Sequence, residues 1–237
     1  MDEYVTVHLF NPAQGQEDAL LTGFAGAHLE AVRRLRDFVE VQLFRCAPHQ
    51  LTESLQPWRY AAFYTRRTAD AAVDIPAIAP LFANLRDGGL IAPDGTERNY
   101  SYLMYGPWKF SRNFRPGPLT HIMFLLANCV PGHEVAYHRW YEAVHSVEVS
   151  EAQGYVGMRR GGLAAVQAPP TRHCPGDQLI LGGLQTRADA LAADLKDFAD
   201  RAYGRSPSGV AWGERPGAAS LARTVHIFES ATGPFTA

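Results

Sequence analysis

Residues 128–161, NCVPGHEVAYHRWYEAVHSVEVSEAQGYVGMRRG, lie without a gap over residues 11–44, NPAQGQEDALLTGFAGAHLEAVRRLRDFVEVQLF, at a constant offset of 117. Asn11 falls on Asn128, Gly15 on Gly132, Glu17 on Glu134, Phe24 on Tyr141 and His28 on His145. Neither stretch is of low complexity, so the coincidence reads as an internal repeat, and a repeat governs the whole fold.

Each copy is preceded by a run rich in β-branched and large apolar residues, 4–10 (YVTVHLF) and 121–127 (HIMFLLA), which predicts a strand. Each copy opens with Gly and acidic residues suited to a helix N-terminus, predicting helices over 17–36 and 134–152. Strands are expected at 38–45 and 155–160, then at 60–65 and 178–183. Ala-rich amphipathic helices follow at 71–85 and 187–203, and final strands at 100–104 and 224–228. Both halves thus read β-α-β-β-α-β, in which two helices cover one face of a four-stranded antiparallel sheet. Each leaves its other sheet face bare, and packing the two bare faces together buries both. The expectation is an α+β chain of tandem ferredoxin-like βαββαβ repeats forming a pseudo-dimeric α+β barrel. The first repeat is placed at 1–86 and the second at 120–237. Segment 87–119 carries the last strand of repeat one, Asp-Gly, Gly-Pro and Pro-Gly turn signals, and enough length to act as a lid.

The chain of 237 residues is 46% hydrophobic and 19% charged, ordinary for a packed globular protein. A net charge of −2 with scattered basic residues speaks against nucleic acid. No apolar run is long enough to span a bilayer and no secretory leader is evident, so a cytoplasmic protein without a membrane partner is expected. Cys46, Cys129 and Cys174 form no CxxC spacing, which predicts reduced thiols rather than a disulfide or zinc framework.

In HRWYEAVHSVE, His138, Tyr141 or Glu142, and His145 recur at helical spacing and share one face. Imidazole suits proton movement near neutral pH, and a phenol can steady an enolate oxygen. The same residues also fit a helix whose His and Tyr satisfy each other under the sheet. Thr6, His8, Gln42, His121, Arg159 and His226 are polar positions on predicted strands, alternating with Val5, Val7, Leu9, Val39, Val41 and Leu43. That alternation predicts one apolar and one functional sheet face. Arg159, paired by the offset with Gln42, is a candidate carboxylate clamp. Tyr102, Tyr105, Trp108, Lys109, Arg112 and Arg115 in the connecting segment suit a flat anionic ligand or a solvated cover. Glu142 and His145 have the spacing of a metal-ligand pair, but the motif occurs once, so no metal is expected. Walker, GxGxxG and GxSxG motifs are missing, which removes the usual nucleotide and serine-hydrolase readings.

The Trp140-Tyr141 pair with His145 four residues on, followed by Gly154 and the strand GYVGMRR, resembles EthD-like proteins of the dimeric α+β barrel superfamily. The first half keeps His28 but has Gly23-Phe24 in place of Trp-Tyr, and Ser146 and Val147 stand where the family often has proline. The resemblance implies a pocket between sheet and helices and points to the second half. Relatives by fold include muconolactone-type isomerases, polyketide cyclases, quinol-type monooxygenases and haem enzymes such as chlorite dismutases. The reading is a cofactor-independent isomerase, lyase or cyclase acting by His/Tyr proton transfer on a small conjugated carboxylate or phenolic compound, such as an aromatic ring-cleavage product. His145, Tyr141, His138 and His121 are the candidate catalytic residues. Trp140, Arg159, Arg112, Arg115, Tyr105, Trp108, His8, His28 and His226 are the candidate substrate-binding residues. The alternatives are a non-catalytic small-ligand or stress protein and a haem oxidoreductase with His145 or His138 as axial ligand. A small molecule is the expected partner, and a homo-oligomer is compatible with the fold.

Overall fold

Val5, Val7 and Leu9 alternate with Thr6, His8 and Phe10 along the first strand, yet all six are buried. Such a strand must be covered on both faces, and the computed structural model, which describes residues 1–52, 56–202 and 223–236, shows how. The first half runs β1 (Asp2–Phe10), α1 (Glu17–Gly23), a π turn (Phe24–His28), α2 (Leu29–Arg33), β2 (Phe38–Cys46), β3 (Tyr60–Thr68), α3 (Ala71–Asp74), α4 (Ala79–Asp87) and β4 (Arg98–Met104). A two-residue strand, β5 (Lys109–Phe110), precedes the second half. That half comprises β6 (His121–Ala127), α5 (Glu134–Trp140), a π turn (Tyr141–His145), α6 (Ser146–Val149), β7 (Tyr155–Leu163), β8 (Gln178–Leu184), α7 (Leu191–Ala202) and β9 (Arg223–Ser230), with β10 (Phe235–Thr236) last.

The strands are ordered β2-β3-β1-β4 and β7-β8-β6-β9, so the first strand of each half sits between its third and fourth. Pairing of β4 with β7 and of β2 with β9 closes an eight-stranded antiparallel barrel. Elements recur at the offset read from the sequence. The helices α1 and α5, the two π turns, and β2 and β7 coincide residue for residue at 117. So do the bulges after Phe38 and Tyr155, and the left-handed residues Gly15 with Gly132 and Asp37 with Gly154.

Three expectations are corrected. The helices predicted as continuous over 17–36 and 134–152 are each interrupted by a π turn that side-chain periodicity does not reveal, and the first is kinked at Gly26, whose φ of −99° and ψ of −107° are not helical. The helix predicted over 71–85 is divided at Pro76, which has no N–H to give the preceding turn. The last long helix starts at Leu191 rather than 187, and its expected end, Tyr203, lies outside the described residues.

The barrel interior is filled by Val5, Val7, Leu9, Phe44, Phe63, Tyr100 and Tyr102 from the first half and Ile122, Phe124, Leu126, Leu179, Leu181 and Phe228 from the second. Helices pack outside over Phe10, Phe24, Val41, Leu43, Tyr64 and Phe82 in one half and Tyr137, Trp140, Tyr141, Tyr155 and Met158 in the other. The expected split into one apolar and one functional sheet face does not occur. Register puts His8 level with Ala62 and Ala62 level with Leu43, so His8 shares its face with Leu43 rather than with Gln42.

Residues 105–119 strap across β7 and β8 where glycines permit close approach. A Cβ on Gly157 would stand 2.9 Å from the Phe110 ring, and one on Gly183 would stand 2.9 Å from Leu119 and 3.3 Å from Trp108. Gly154 is constrained differently: its φ is +72°, and a Cβ would run into the Asp194 carboxylate. Asp37, at the equivalent position, holds a φ of 59° with a side chain present. Gly154→Ala is therefore expected to lose about 1–3 kcal/mol, whereas Asp37→Gly should be neutral or gain up to about 1 kcal/mol, as read from urea midpoints.

Candidate functional site

Adjacent residues on a strand point to opposite faces, and Arg159 and Arg160 on β7 divide the polar chemistry accordingly. Arg160, 6% exposed, turns toward the helices. Its Nη2 donates to His138 Nδ1 at 2.6 Å, and its guanidinium carbon lies 4.4 Å from the Tyr141 ring centroid, with Tyr105 at 5.7 Å and Tyr137 at 5.9 Å. The nearest carboxylate, Glu142, stands 3.4 Å from Nη1, is half exposed and also holds Lys109. A buried cation is thus held mainly by π faces and an imidazole, an arrangement that leaves room to attract substrate charge.

The partners of the two helix histidines assign complementary tautomers. His138 accepts at Nδ1 from an arginine that cannot give up its charge, so its proton resides on Nε2. Burial, with Arg160 adding, lowers its pKa. His145 faces the Glu148 carboxylate through Nδ1 at 3.3 Å, which puts the proton on Nδ1 and makes Nε2 the basic nitrogen. Tyr141 links the pair, its ring 5.1 Å edge-on from His145, while Trp140 stacks on His145 at 4.4 Å. Tyr105 closes the outer side, 5.1 Å from His138, with its hydroxyl donating to Gln178 at 2.9 Å. Burial raises the phenols of Tyr105, Tyr137 and Tyr155, which stay protonated donors. Beside this cluster a cavity of about 320 Å³ opens between Lys109–Arg112 and Ser146, Val147 and Ser150, floored by Tyr155, Gly157 and Met158.

Other predicted site residues lie elsewhere. Arg159 does not join the cluster. It faces the barrel interior, where its Nη2 donates to Glu3 and its Nε to the Gly106 carbonyl at 3.0 Å. There it lines a cavity of about 220 Å³ with Glu40, Gln42, Thr65, Trp108, Phe110 and Phe114. Arg112 reaches the rim of the larger cavity while paired with Glu151 at 2.7 Å, whereas Arg115 is exposed and bonded to backbone carbonyls. His121 is separated from His138 and His145. It sits at the start of β6, 4.0 Å from Glu229 and 3.0 Å from the Thr120 hydroxyl. His226 points into the barrel, where it bonds Gln56 and meets Trp58 edge-on at 5.3 Å. His8, fully buried, donates from Nε2 to the Glu97 carboxylate at 2.7 Å and stacks on Phe82 at 4.1 Å. His28 bonds the Tyr64 hydroxyl at 2.8 Å.

The offset shows why the halves differ. Where the second half has His138, Trp140, Tyr141 and Arg160, the first has Leu21, Gly23, Phe24 and Leu43. Arg160, Glu148 and Glu40 carry no sequence signal of their own: Arg160 adjoins Arg159, and only strand parity tells the two arginines apart. Among the described residues no three His, Cys, Asp or Glu side chains gather to hold a metal, and no helix is long and apolar enough to cross a membrane.

No protein-family profile matches the sequence. No curated protein matches it. Solved structures do resemble the fold along its whole length. One is a putative monooxygenase from Lactobacillus acidophilus NCFM (TM-score 0.58, 7% identity, 98% of this chain and 96% of that one). An anthrone oxidase-like protein gives a TM-score of 0.56 at 12% identity, over 100% and 94% of the two chains. Chlorite dismutase from Candidatus Nitrospira defluvii, in complex with imidazole, gives 0.55 at 9% identity, over 96% and 91%. The chain therefore has the architecture of the dimeric α+β barrel proteins.

Burial lowers the pKa of His28 to about 3 and that of His226 to about 4. Both are neutral when folded, so as pH falls below about 6.5 the unfolded chain takes up protons that the folded chain refuses. Stability contributed by these groups is full above that pH and is lost progressively toward their folded pKa values. A loss on the order of 5 kcal/mol is expected between pH 7 and pH 4. His28→Gln should lower the slope of unfolding free energy against pH by about one proton in that window.

Proposed function

We propose that this chain is an enzyme of two fused ferredoxin-like repeats, divided as 1–86, 87–119 and 120–237, that moves a proton on a small conjugated carboxylate or phenolic compound. The observation that carries the reading is the buried Arg160 guanidinium bonded to His138 and lying over Tyr141. The recurrence of elements at a constant offset supports the repeat. The Trp140-Tyr141 pair with His145 supports an EthD-like assignment within the superfamily.

Removing a proton next to a carbonyl generates an enolate, so the site needs a base, a stabiliser of oxyanion charge and a proton donor. His145, with Nδ1 on Glu148, is the base through Nε2. Arg160 and the Tyr141 phenol stabilise the oxygen, as fixed donors at low dielectric are suited to do. His138, neutral with its proton on Nε2, polarises the carbonyl by hydrogen bonding, and His145, protonated by the abstraction, returns that proton to the neighbouring carbon. Lys109 and Arg112 at the cavity rim hold the substrate carboxylate, and the strap excludes water above it. Isomerisation is the leading reaction, and lyase or cyclase chemistry draws on the same groups.

A diode-array assay against muconates, muconolactones and methoxylated dienoic acids tests the reading. Turnover is expected, with His145→Gln and Arg160→Met each lowering kcat/KM by about 10²–10⁴-fold without unfolding the chain. Spectral silence across the panel, or turnover indifferent to both substitutions, overturns it. A Soret band on hemin titration that His145→Gln abolishes moves the assignment to a haem oxidoreductase, and pH-independent binding without turnover moves it to a ligand carrier.

A further inference from the structure

The cavity inside the barrel lies on the opposite sheet face from the helix cluster. It is lined by Val5, Phe44 and Phe63 from one half and by Ile122, Leu181 and Arg159 from the other, and roofed by Trp108, Phe110, Phe114 and Leu119 of the strap. Its aromatic surface is continuous: Trp108 stacks with Phe110 at 6.0 Å and Phe110 with Phe114 at 4.1 Å. Two charged side chains line it, and one is matched, because Arg159 is paired with Glu3, which also holds Arg67. The other, Glu40, is half-buried on β2; its carboxylate forms no hydrogen bond or ion pair among the described residues, and the cation it feels, Arg159, is already held by Glu3. Gln42, which could have approached it, is committed to Ser230 at 2.9 Å and to the Thr232 carbonyl at 3.1 Å.

We infer that this lumen cavity is a second small-molecule site, selective for a small aromatic amine whose ammonium pairs with Glu40 and whose ring lies among Trp108, Phe110 and Phe63. An unmatched carboxylate next to aromatic faces attracts a monocation by ion pairing and by the ring quadrupoles together. An anion would meet Glu40, with the Arg159 guanidinium already engaged by Glu3 and the Gly106 carbonyl. The volume of about 220 Å³, below the usual range for drug-sized ligands, sets the size at one ring with a short arm. The site does not depend on the proton-transfer reading and stands or falls separately.

Calorimetric titration of the full chain with phenethylamine, phenethyl alcohol and phenylacetate tests it. Phenethylamine is expected to bind at submillimolar Kd, at least about tenfold more tightly than the alcohol, with phenylacetate weakest. Glu40→Gln should weaken the amine about tenfold while leaving the alcohol within about twofold, and it removes a half-buried charge, so folding is not at risk. Trp108→Phe should abolish the fluorescence change on amine binding, which places the ligand in the lumen. Absence of amine binding, equal affinity for amine and alcohol, preference for phenylacetate, or indifference to Glu40→Gln would each overturn the assignment.

Discussion

The barrel is held by burial of two sheet faces against each other. Each seam between the halves has a three-residue register, Phe44–Cys46 on Phe228–Ser230 and Tyr102–Met104 on Gly161–Leu163, extended by two residues each from β10 on β2 and β5 on β7, whereas β1 pairs β3 over nine residues. So short a seam cannot fix the relative placement of two sheets by hydrogen bonds alone. The interlocking of Phe44, Phe63 and Tyr102 with Phe124, Leu181 and Phe228 does so, at about 1.5–3 kcal/mol for each large side chain removed from water. Both candidate sites inherit their positions from this packing, because it decides which residue of every strand points inward.

That constraint explains why two neighbouring arginines have unrelated environments. With Met158 and Arg160 committed to the helix face, Arg159 has to enter the lumen, where Glu3 and the Gly106 carbonyl receive it. Each guanidinium then sits at a low-dielectric boundary, one beneath a helix carrying histidines and one beneath an aromatic strap. The inner cavity and the outer cluster share β7 as a common wall, with the glycines of β7 and β8 letting the strap lie directly on it.

The π turns are the second organising feature. A π turn inserts one residue into a helix, and such insertions are rare and frequent at functional sites. Both halves carry one ending in histidine, yet their surroundings diverge. His28 is enclosed by Phe24 and Tyr64, and burial alone suffices to hold it neutral. His145 keeps a carboxylate at Nδ1 and lies next to a phenol under a guanidinium. The two positions are equivalent at the offset of 117, and charge chemistry surrounds one of them.

The sequence by itself determined the element order, the offset of 117 between the halves, the strand and helix boundaries to within a few residues, and the placement of His138, Tyr141 and His145 on one helix. These follow from local periodicity and turn chemistry, which act over short stretches of chain. Tertiary structure alone decided that Arg160 rather than Arg159 meets His138, that His121 and His226 stand apart, that Arg115 stays at the surface, and that Glu40 faces an enclosed aromatic cavity. Those outcomes depend on strand register, the bulges after Phe38 and Tyr155, and barrel closure. Each of these pairs residues distant in the chain, and a shift of one residue in any of them would exchange the inner and outer faces of a strand.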